Sequence, residues 1–215
     1  MSRRRTAILI SGRGSNMAAL IAASRSPVFP AEIVLVISNV ADAPGLARAQ
    51  TAGVATAVCP HRDFGRDREA HEAALDAKLR EAGAEIVCLA GYMRLLTPSL
   101  ARAWQGRMLN IHPSLLPAFP GLDTHSRALS AGVKLHGCTV HLVTEAVDSG
   151  PILAQAAVPV LPGDTAETLA ARVLVQEHRI YPAALARIAA GPEAGTDPPA
   201  EAALCNPLPI AGLLA

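Results

Sequence analysis

The sequence predicts an α/β fold, a Rossmann-like, doubly wound, mainly parallel sheet that ends in an antiparallel C-terminal hairpin. In the first half of the chain, short apolar runs alternate with segments whose apolar residues recur at helical spacing. Strands that alternate with helices form a parallel sheet with right-handed crossovers. After Asn110 this alternation stops, and two strand-like segments follow one another without a helix between them. Such a pair is expected to be antiparallel.

The predicted elements of the first half repeat the order strand, loop, helix. Residues 6–10 form a buried strand, a glycine turn follows, and residues 16–23 carry apolar side chains at helical spacing. The fourth strand has the continuous apolar character that is typical of a strand covered on both faces. The later predicted elements of this half are strands 32–37, 54–58, 85–89 and 107–109, and helices 44–52 and 67–82.

The second half begins with a proline-rich loop. Its predicted elements are a helix over 124–130, strands over 138–143 and 152–160, and a long helix that runs through residue 180. Asp164 or Thr165 can cap the long helix, and Pro182 should kink or restart it. From residue 191 the chain is rich in Pro and Ala without a period. We therefore expect one domain over residues 1–190 and a tail over residues 191–215.

Composition and charge limit the classes of function. The 215 residues carry a net charge of +1 with acids and bases scattered, which argues against extensive nucleic-acid binding. The Arg3-Arg4-Arg5 run is expected to be a solvated terminus. The four cysteines form no CxxC pair and are expected to be buried thiols in a reducing compartment. No apolar run reaches the length of a membrane span, so we expect a cytoplasmic protein without a membrane partner.

Two hydrogen-bonding side chains, Asn110 and His112, stand one residue apart where the fifth predicted strand meets Pro113. Alternate residues of a strand project from the same face, so both side chains should point the same way. Because proline cannot continue a central strand, the pair should lie at a carboxyl strand end, where open α/β sheets bind ligands. Taken alone, the same pair could equally finish a strand and begin a loop.

A glycine turn, GRGSN over residues 12–16, connects the first strand to the first helix. Free backbone N–H groups and the helix dipole favour an anion there. A nicotinamide dinucleotide would require a glycine at Met17 and an acid near Ser38 and Asn39, and a P-loop would require a lysine followed by Ser or Thr. The sequence meets neither requirement. The turn predicts a site for a single phosphate monoester, and the alternative is a tight turn with a helix cap.

A late acid, Asp148, lies in the turn-forming segment 145–151, after the strand that contains His141. It can approach Asn110 and His112 only if the antiparallel hairpin folds back onto the parallel half. An aspartate beside an imidazole favours the protonated ring and fixes its orientation. Judged from its neighbours alone, an aspartate before Ser-Gly-Pro is more typical of a turn residue.

Several long motifs occur in order along the chain. They are GRGSN at 12–16, LAGYMRLLTP at 89–98, NIHPSLLPAFPG at 110–121, HGCTVHLVTEAVDSGPILAQ at 136–155 and QEHRIYP at 176–182. Together they closely resemble the phosphoribosylglycinamide formyltransferases, also called glycinamide ribonucleotide transformylases, of the folate-dependent formyltransferase superfamily. The resemblance covers residues 6–188. It implies a formyltransferase fold and an enzyme of purine biosynthesis that moves a formyl group from 10-formyltetrahydrofolate to the amine of glycinamide ribonucleotide.

The resemblance also implies the site residues. The catalytic positions are Asn110, His112 and Asp148, and the ribonucleotide-binding positions are Gly14, Ser15, Asn16 and Glu177. The folate-binding positions are Arg68, Met93, Arg94, Leu95, Leu96, Asn110, Thr144, Glu145, Ala146, Val147 and Asp148. Tyr92 is a larger ring than the Phe often found at its position. The implied partners are the two small-molecule substrates, with no nucleic acid and no membrane, and a homodimer is compatible with the resemblance.

No step of the implied reaction requires a metal or a covalent enzyme intermediate, and 10-formyltetrahydrofolate acts as a co-substrate. An Asn N–H aimed at the formyl oxygen would stabilise the oxyanion by ~3 kcal/mol. His136 and His141 are an odd number of residues apart, so they should face opposite sides of a strand and make a poor metal pair.

Other functions share parts of this pattern. A formyltransferase for methionyl-tRNA or an amino sugar would keep the Asn–His–Asp centre but should carry a further binding domain, and a formyltetrahydrofolate hydrolase would use water and usually has an N-terminal regulatory domain. A non-catalytic folate- or phosphate-binding module would not need Asp148. A serine hydrolase is disfavoured because Ser114 lies outside a G-x-S-x-G elbow.

Overall fold

The computed structural model describes residues 2–191, and its strands join into a single sheet. The strands are β1 (Arg4–Ile10), β2 (Ala31–Ser38), β3 (Thr56–Val58), β4 (Ile86–Leu89), β5 (Met108–His112), β6 (Leu135–Leu142) and β7 (Ile152–Pro159). Their order across the sheet is β3-β2-β1-β4-β5-β6-β7. The first five strands are parallel, β6 is antiparallel to β5, and β7 is antiparallel to β6. The predicted fold class is confirmed.

Helices cover both faces of this sheet. They are α1 (Ser15–Ser24), α2 (Pro44–Thr51), α3 (Arg68–Glu81), α4 (Pro98–Ala103), α5 (Thr124–Ser130) and α6 (Ala166–Ala190), with a turn of 3-10 helix at His61–Phe64. The sequence analysis did not predict α4 or the 3-10 turn, because both are too short to display a helical period. A local signal for α4 exists, since Thr97 caps it and Pro98 occupies its first turn.

The core is divided between the two faces of the sheet. Along β1, Ile8 and Ile10 belong to a cluster that includes buried residues of α1 and α6, whereas Ala7 and Leu9 belong to a cluster with α3 and α4. All four side chains are fully buried. Burial on alternate faces explains why β1 reads as an uninterrupted apolar run.

Three local expectations require correction or remain outside the structure. The arginine run is not a solvated terminus, because Arg3 donates hydrogen bonds to backbone carbonyls at residues 29 and 31 while Arg4 and Arg5 belong to β1. The chain does not restart a helix at Pro182: α6 is a single helix that contains it. A proline removes one helical hydrogen bond, and the buried residues of α6 on both sides hold the helix in place. Apart from Gly191, the predicted tail lies outside the described residues.

The carboxyl ends of the central strands form the edge of the sheet at which a ligand is expected. From β1 the chain continues to β2 and β3 on one side of the sheet, and it then crosses to β4 on the other side of β1. The strand order therefore reverses between β1 and β4. In open α/β sheets, ligands bind outside the carboxyl ends of the strands at such a point.

In the part of the chain that the structure describes, no helix is long and apolar enough to cross a bilayer.

Candidate functional site

The glycine turn follows β1 and leads directly into α1. Gly14 has a φ of 68°, in the left-handed region that favours glycine. A Cβ atom there would lie 3.0 Å from the Met17 side chain and 3.2 Å from the Cα of Gly45. Gly45 was not assigned to the site from the sequence. It packs against the turn and its N–H donates to the Gly12 carbonyl at 3.0 Å.

The first turn of α1 suits an anionic ligand and carries a buried polar pair. No side chain caps the helix, and no acidic residue lies in its first turn. The Asn16 Nδ2 donates to Glu177 Oε2 at 2.6 Å, and both residues are buried. Burial raises the pKa of the Glu177 carboxyl, which the hydrogen bond from Asn16 opposes. The Asn16 Oδ1 is buried and has no hydrogen-bond partner within residues 2–191. The structure therefore brings Asn16 and Glu177 together, next to Ser15 at the start of the helix.

The predicted folate stretch forms a loop after β4, here called the 91–97 loop. Met93 is 65% exposed and Leu95 is 61% exposed, whereas Arg94 and Leu96 are half-buried. The Arg68 guanidinium donates to the Leu95 carbonyl at 2.7 Å, so Arg68 lies beside this loop. Exposed apolar side chains on an ordered loop are typical of a surface that binds a flat apolar ligand.

The side chains of Asn110 and His112 lie near Asp148 at the carboxyl end of β5. The His112 Nδ1 lies 3.4 Å from Asp148 Oδ2, and the His112 side chain is 7% exposed. On the other side of the ring, His112 Nε2 lies 3.0 Å from the Phe119 carbonyl oxygen. The groups that face the two ring nitrogens, a carboxylate and a backbone carbonyl, are both hydrogen-bond acceptors.

A residue outside the predicted set, His141, completes this neighbourhood. It pairs with Asn110 across β5 and β6, is 3% exposed, and its Nε2 lies 3.2 Å from Asn110 Nδ2 and 3.7 Å from Asp148 Oδ1. Its Nδ1 donates to the Leu142 carbonyl at 2.9 Å, which leaves Nε2 as the acceptor for Asn110. Burial lowers the pKa of His141, opposed by the hydrogen bond to Leu142 and by the charge of Asp148.

The connection between β6 and β7 carries Asp148 to this position. Asp148 has a φ of 51°, and its Oδ2 accepts from the Gly121 N–H at 2.8 Å. Two residues later, a Cβ atom on Gly150 would lie 1.8 Å from the Leu142 carbonyl oxygen, so the chain closes tightly on β6. Thr144, Glu145, Ala146 and Val147 form the exposed part of the same connection. Glu145 also forms an exposed ion pair with Arg102 at 2.9 Å.

The histidines of β6 belong to different neighbourhoods. The Nε2 atom of His136 lies 3.2 Å from Nδ1 of His125, and its ring packs edge-on against Phe119, whereas His141 contacts Asn110 and Asp148. Within residues 2–191, no group of three His, Cys, Asp or Glu side chains is arranged to hold a metal ion. The site is thus a set of hydrogen-bond donors and acceptors in which two histidines, His112 and His141, face Asp148.

Comparisons with known proteins identify the family to which this chain belongs. Residues 4–185 match the model of the formyl transferase family. The chain is 45% identical to the phosphoribosylglycinamide formyltransferase of Escherichia coli over 86% of each chain. It is 51% identical to the trifunctional purine biosynthetic protein adenosine-3 of Bos taurus, but spans only 19% of that protein's length. The crystal structure of phosphoribosylglycinamide formyltransferase from Brucella melitensis is 64% identical, with a TM-score of 0.84 over 88% of this chain and 97% of that one.

Proposed function

The chain belongs to the formyl transferase family, and from this premise we propose that it transfers the formyl group of 10-formyltetrahydrofolate to the primary amine of glycinamide ribonucleotide. The observation that carries the proposal is the convergence of Asn110, His112 and Asp148 from two separate segments at the carboxyl end of β5. Full-length relatives of similar size bear the name of this activity. The partners of the chain are then two small-molecule substrates.

In the proposed reaction, the amine attacks the formyl carbon and its oxygen becomes negative. One N–H of the Asn110 amide is occupied by His141, and the second N–H can donate to the formyl oxygen. A donor of this kind contributes ~3 kcal/mol to transition-state stabilisation. His141 acts as a positioning residue, because its bond to Asn110 defines the direction of the amide group.

His112 and Asp148 stabilise the negative charge that develops on the formyl oxygen, and they transfer the proton between the two nitrogens. The carboxylate stabilises a protonated imidazole, which adds positive charge beside the developing oxyanion. The attacking nitrogen must lose a proton, and the folate nitrogen must gain one so that it leaves as a neutral amine. Asp148 and His112 lie next to each other and serve as acceptor and donor for this exchange, which a water molecule can bridge.

The glycine turn and α6 bind the ribonucleotide in this proposal. Backbone N–H groups at the start of α1, together with Ser15, receive the phosphate. The unpartnered Asn16 Oδ1 and the Glu177 carboxylate are acceptors, and they suit the hydroxyl and amine donors of the sugar and the glycinamide.

The folate lies between the 91–97 loop and the 144–148 connection. Met93, Leu95 and Val147 supply exposed apolar surface on its two sides, and Arg68 lies at the edge of the loop. In this proposal, backbone groups of the loop other than those bound by Ser11, Arg68 and Glu72 bind the edge of the pterin ring. We place the reaction in the cytoplasm, and sedimentation of the purified chain tests whether it forms a homodimer.

The test of this function uses three incubations of the purified chain. Donor with glycinamide ribonucleotide should release folate product, whereas donor alone should not, and donor with methionyl-tRNA or an amino sugar should not. Release without an amine would identify a hydrolase instead. Release only with another amine would identify a different formyltransferase.

A further inference from the structure

Ser11 lies directly before the glycine turn, yet its side chain contacts another loop. Its Oγ accepts a hydrogen bond from the Met93 N–H at 2.8 Å and donates to Asn39 Oδ1 at 2.6 Å. The donor and acceptor roles are defined, because an amide oxygen only accepts and a backbone N–H only donates. The single hydroxyl therefore joins the segment after β1 to the segments after β2 and β4.

Backbone hydrogen bonds continue the pairing of β1 and β4 beyond the ends of the two strands. The Ala90 N–H donates to the Leu9 carbonyl, and the Ser11 N–H donates to the Gly91 carbonyl at 3.1 Å. Gly91 then takes a φ of 75°, so the backbone turns away and regular pairing stops. The Met93 N–H is bound by the Ser11 side chain instead of a β1 carbonyl.

The 91–97 loop is held by side chains at alternate residues. Ser11 binds the N–H of Met93, and Arg68 binds the carbonyl of Leu95. At the far end, the buried Glu72 carboxylate accepts from the Thr97 N–H at 2.9 Å. Tyr92 belongs to the core and Leu96 packs against it, so apolar packing anchors these two residues of the loop. Met93 and Leu95 are mostly exposed, and their backbone is held by the hydrogen bonds from Ser11 and Arg68.

Asn39 supports the serine from the opposite side. It is 4% exposed, and its Nδ2 lies 3.1 Å from Nδ1 of His61, in the 3-10 turn that follows β3. The same His61 Nδ1 lies 3.0 Å from the Asn39 carbonyl oxygen, so it either donates there or accepts from the amide, and the Asn39 Oδ1 faces the Ser11 hydroxyl in both cases. The chain of hydrogen bonds from His61 to Met93 thus crosses the carboxyl ends of four strands.

From these contacts we propose that Ser11 is a positioning residue for the folate-binding 91–97 loop and not part of the ribonucleotide site that it adjoins in sequence. The proposal rests on the proposed function for the identity of the ligand. Loss of one hydrogen bond of this kind corresponds to about three- to tenfold in binding. Ser11→Ala should raise the KM for 10-formyltetrahydrofolate by about that factor and leave the KM for glycinamide ribonucleotide within about twofold.

The experiment compares Ser11→Ala with three other variants. Ser11→Thr keeps the hydroxyl and should restore the donor KM to within about twofold. Ser15→Ala, in the turn itself, should raise the ribonucleotide KM instead. Ser99→Ala, an exposed serine of α4, should change neither constant. A rise of the ribonucleotide KM in Ser11→Ala that equals or exceeds the rise of the donor KM would overturn the proposal.

A second measurement does not depend on turnover. Amide hydrogen exchange at Met93 should become faster in Ser11→Ala and remain slow in Ser11→Thr, because only the first variant loses the acceptor. Unchanged exchange at Met93 would overturn the positioning role even if the kinetic constants moved. If the wild-type chain transfers no formyl group, the proposed function fails, while the exchange result still decides whether Ser11 holds the loop.

Discussion

The glycine turn and the Asn110–His112–Asp148 centre are built in opposite ways. The turn is formed by a few consecutive residues between β1 and α1, and its geometry depends on one left-handed glycine, Gly14. The centre combines the end of β5 with the distant β6–β7 connection, and its contacts involve a buried histidine–aspartate pair. A local turn can be recognised from its own residues, whereas a composite centre exists only when the hairpin has folded onto the parallel strands.

The difference also separates binding from chemistry. Backbone N–H groups bind a phosphate equally in the ground state and the transition state, so damage to the turn should appear in KM. In the proposed reaction the centre acts on charge that develops in the transition state, so damage there should appear in kcat. Variants of the glycine turn and of the Asn110–His112–Asp148 centre test this division between effects on KM and effects on kcat.

The largest effect is expected for Asp148→Asn. The substitution keeps the size and tolerates the φ of 51°, but it removes the charge beside His112. We expect kcat to fall by at least ~100-fold, in line with typical acid–base contributions, with folding retained. Steady-state kinetics and circular dichroism provide the measurement.

Asp123→Asn is the matched control for this variant, because Asp123 also has a positive φ, 55°, and its side chain makes no capping hydrogen bond. It should retain kcat within about twofold. A folded Asp148→Asn protein with near-normal kcat would reduce Asp148 to a turn residue.

On the other side of the comparison, Gly14→Val should act on binding. A β-branched residue is strained at a φ of 68°, and its Cβ would crowd Met17 and Gly45. We expect the KM for the ribonucleotide to rise about tenfold, which corresponds to ~1.4 kcal/mol, and the KM for the donor to change less.

Gly53→Val separates strain from site geometry, because Gly53 has a φ of 78° but open space around it, at the end of α2. It should lower the unfolding free energy by about 1–2 kcal/mol without changing either KM. Equal changes in both KM values for Gly14→Val would remove the turn from the ribonucleotide site.

A smaller loss of kcat is expected for His141→Phe. Phenylalanine fills a similar volume but removes the Nε2 acceptor that orients Asn110. We expect kcat to fall about tenfold, which corresponds to ~1.4 kcal/mol, with both KM values near normal. His71→Phe removes another buried histidine, whose Nε2 bonds to the Cys59 carbonyl, and should lower stability alone. If both variants lose kcat equally, His141 has no special relation to Asn110.

A buried histidine of β6, His136, lies outside both regions and should make the stability of the chain depend on pH. Burial lowers the pKa of His136 to about 4, assisted by the neighbouring His125. The unfolded chain then binds more protons than the folded chain between about pH 6.5 and pH 4, so stability is full above this window and is lost as the pH falls through it. The urea concentration at the unfolding midpoint should decrease as the pH is lowered through this window, and it should decrease less in His136→Phe.

Amide hydrogen exchange should show which part of the chain loses stability at low pH. The loop over 113–123 and β6 should open first at low pH, because His136 packs between them against Phe119. The segment 11–16 contains no histidine and should open later. Exchange that rises first at the glycine turn would contradict the proposed origin of the acid sensitivity.

The smallest effect is expected for Tyr92→Phe, in the loop between the two regions. The Tyr92 hydroxyl is buried and has no hydrogen-bond partner within residues 2–191, and burial raises its pKa. Removal of an unpartnered buried hydroxyl should leave the unfolding free energy unchanged or raise it by up to about 1 kcal/mol, with both KM values within about twofold. A clear loss of stability would indicate that the hydroxyl has a partner in solution.

The sequence by itself determined most of the elements, with the exception of α4 and the 3-10 turn. Periodicity distinguishes the strands from the helices, and each pattern is contained within one continuous segment of the chain. The glycine turn and the Asn110–His112 pair lie within single segments and were predicted from their own residues, whereas the folate-binding positions and Glu177 were implied by the family resemblance. Asp148, whose local sequence favours a turn, was assigned through the family resemblance.

Only the tertiary structure decided which distant groups touch. The role of His141 depends on its register opposite Asn110, and a register shift between Val140 and His141 in the β6–β7 pairing has no local sequence signature. The link from Ser11 to Met93 depends on β1 and β4 being neighbours in the sheet although two strands intervene in sequence. Sequence order does not specify such contacts, because they arise from the way the sheet and its connections pack together.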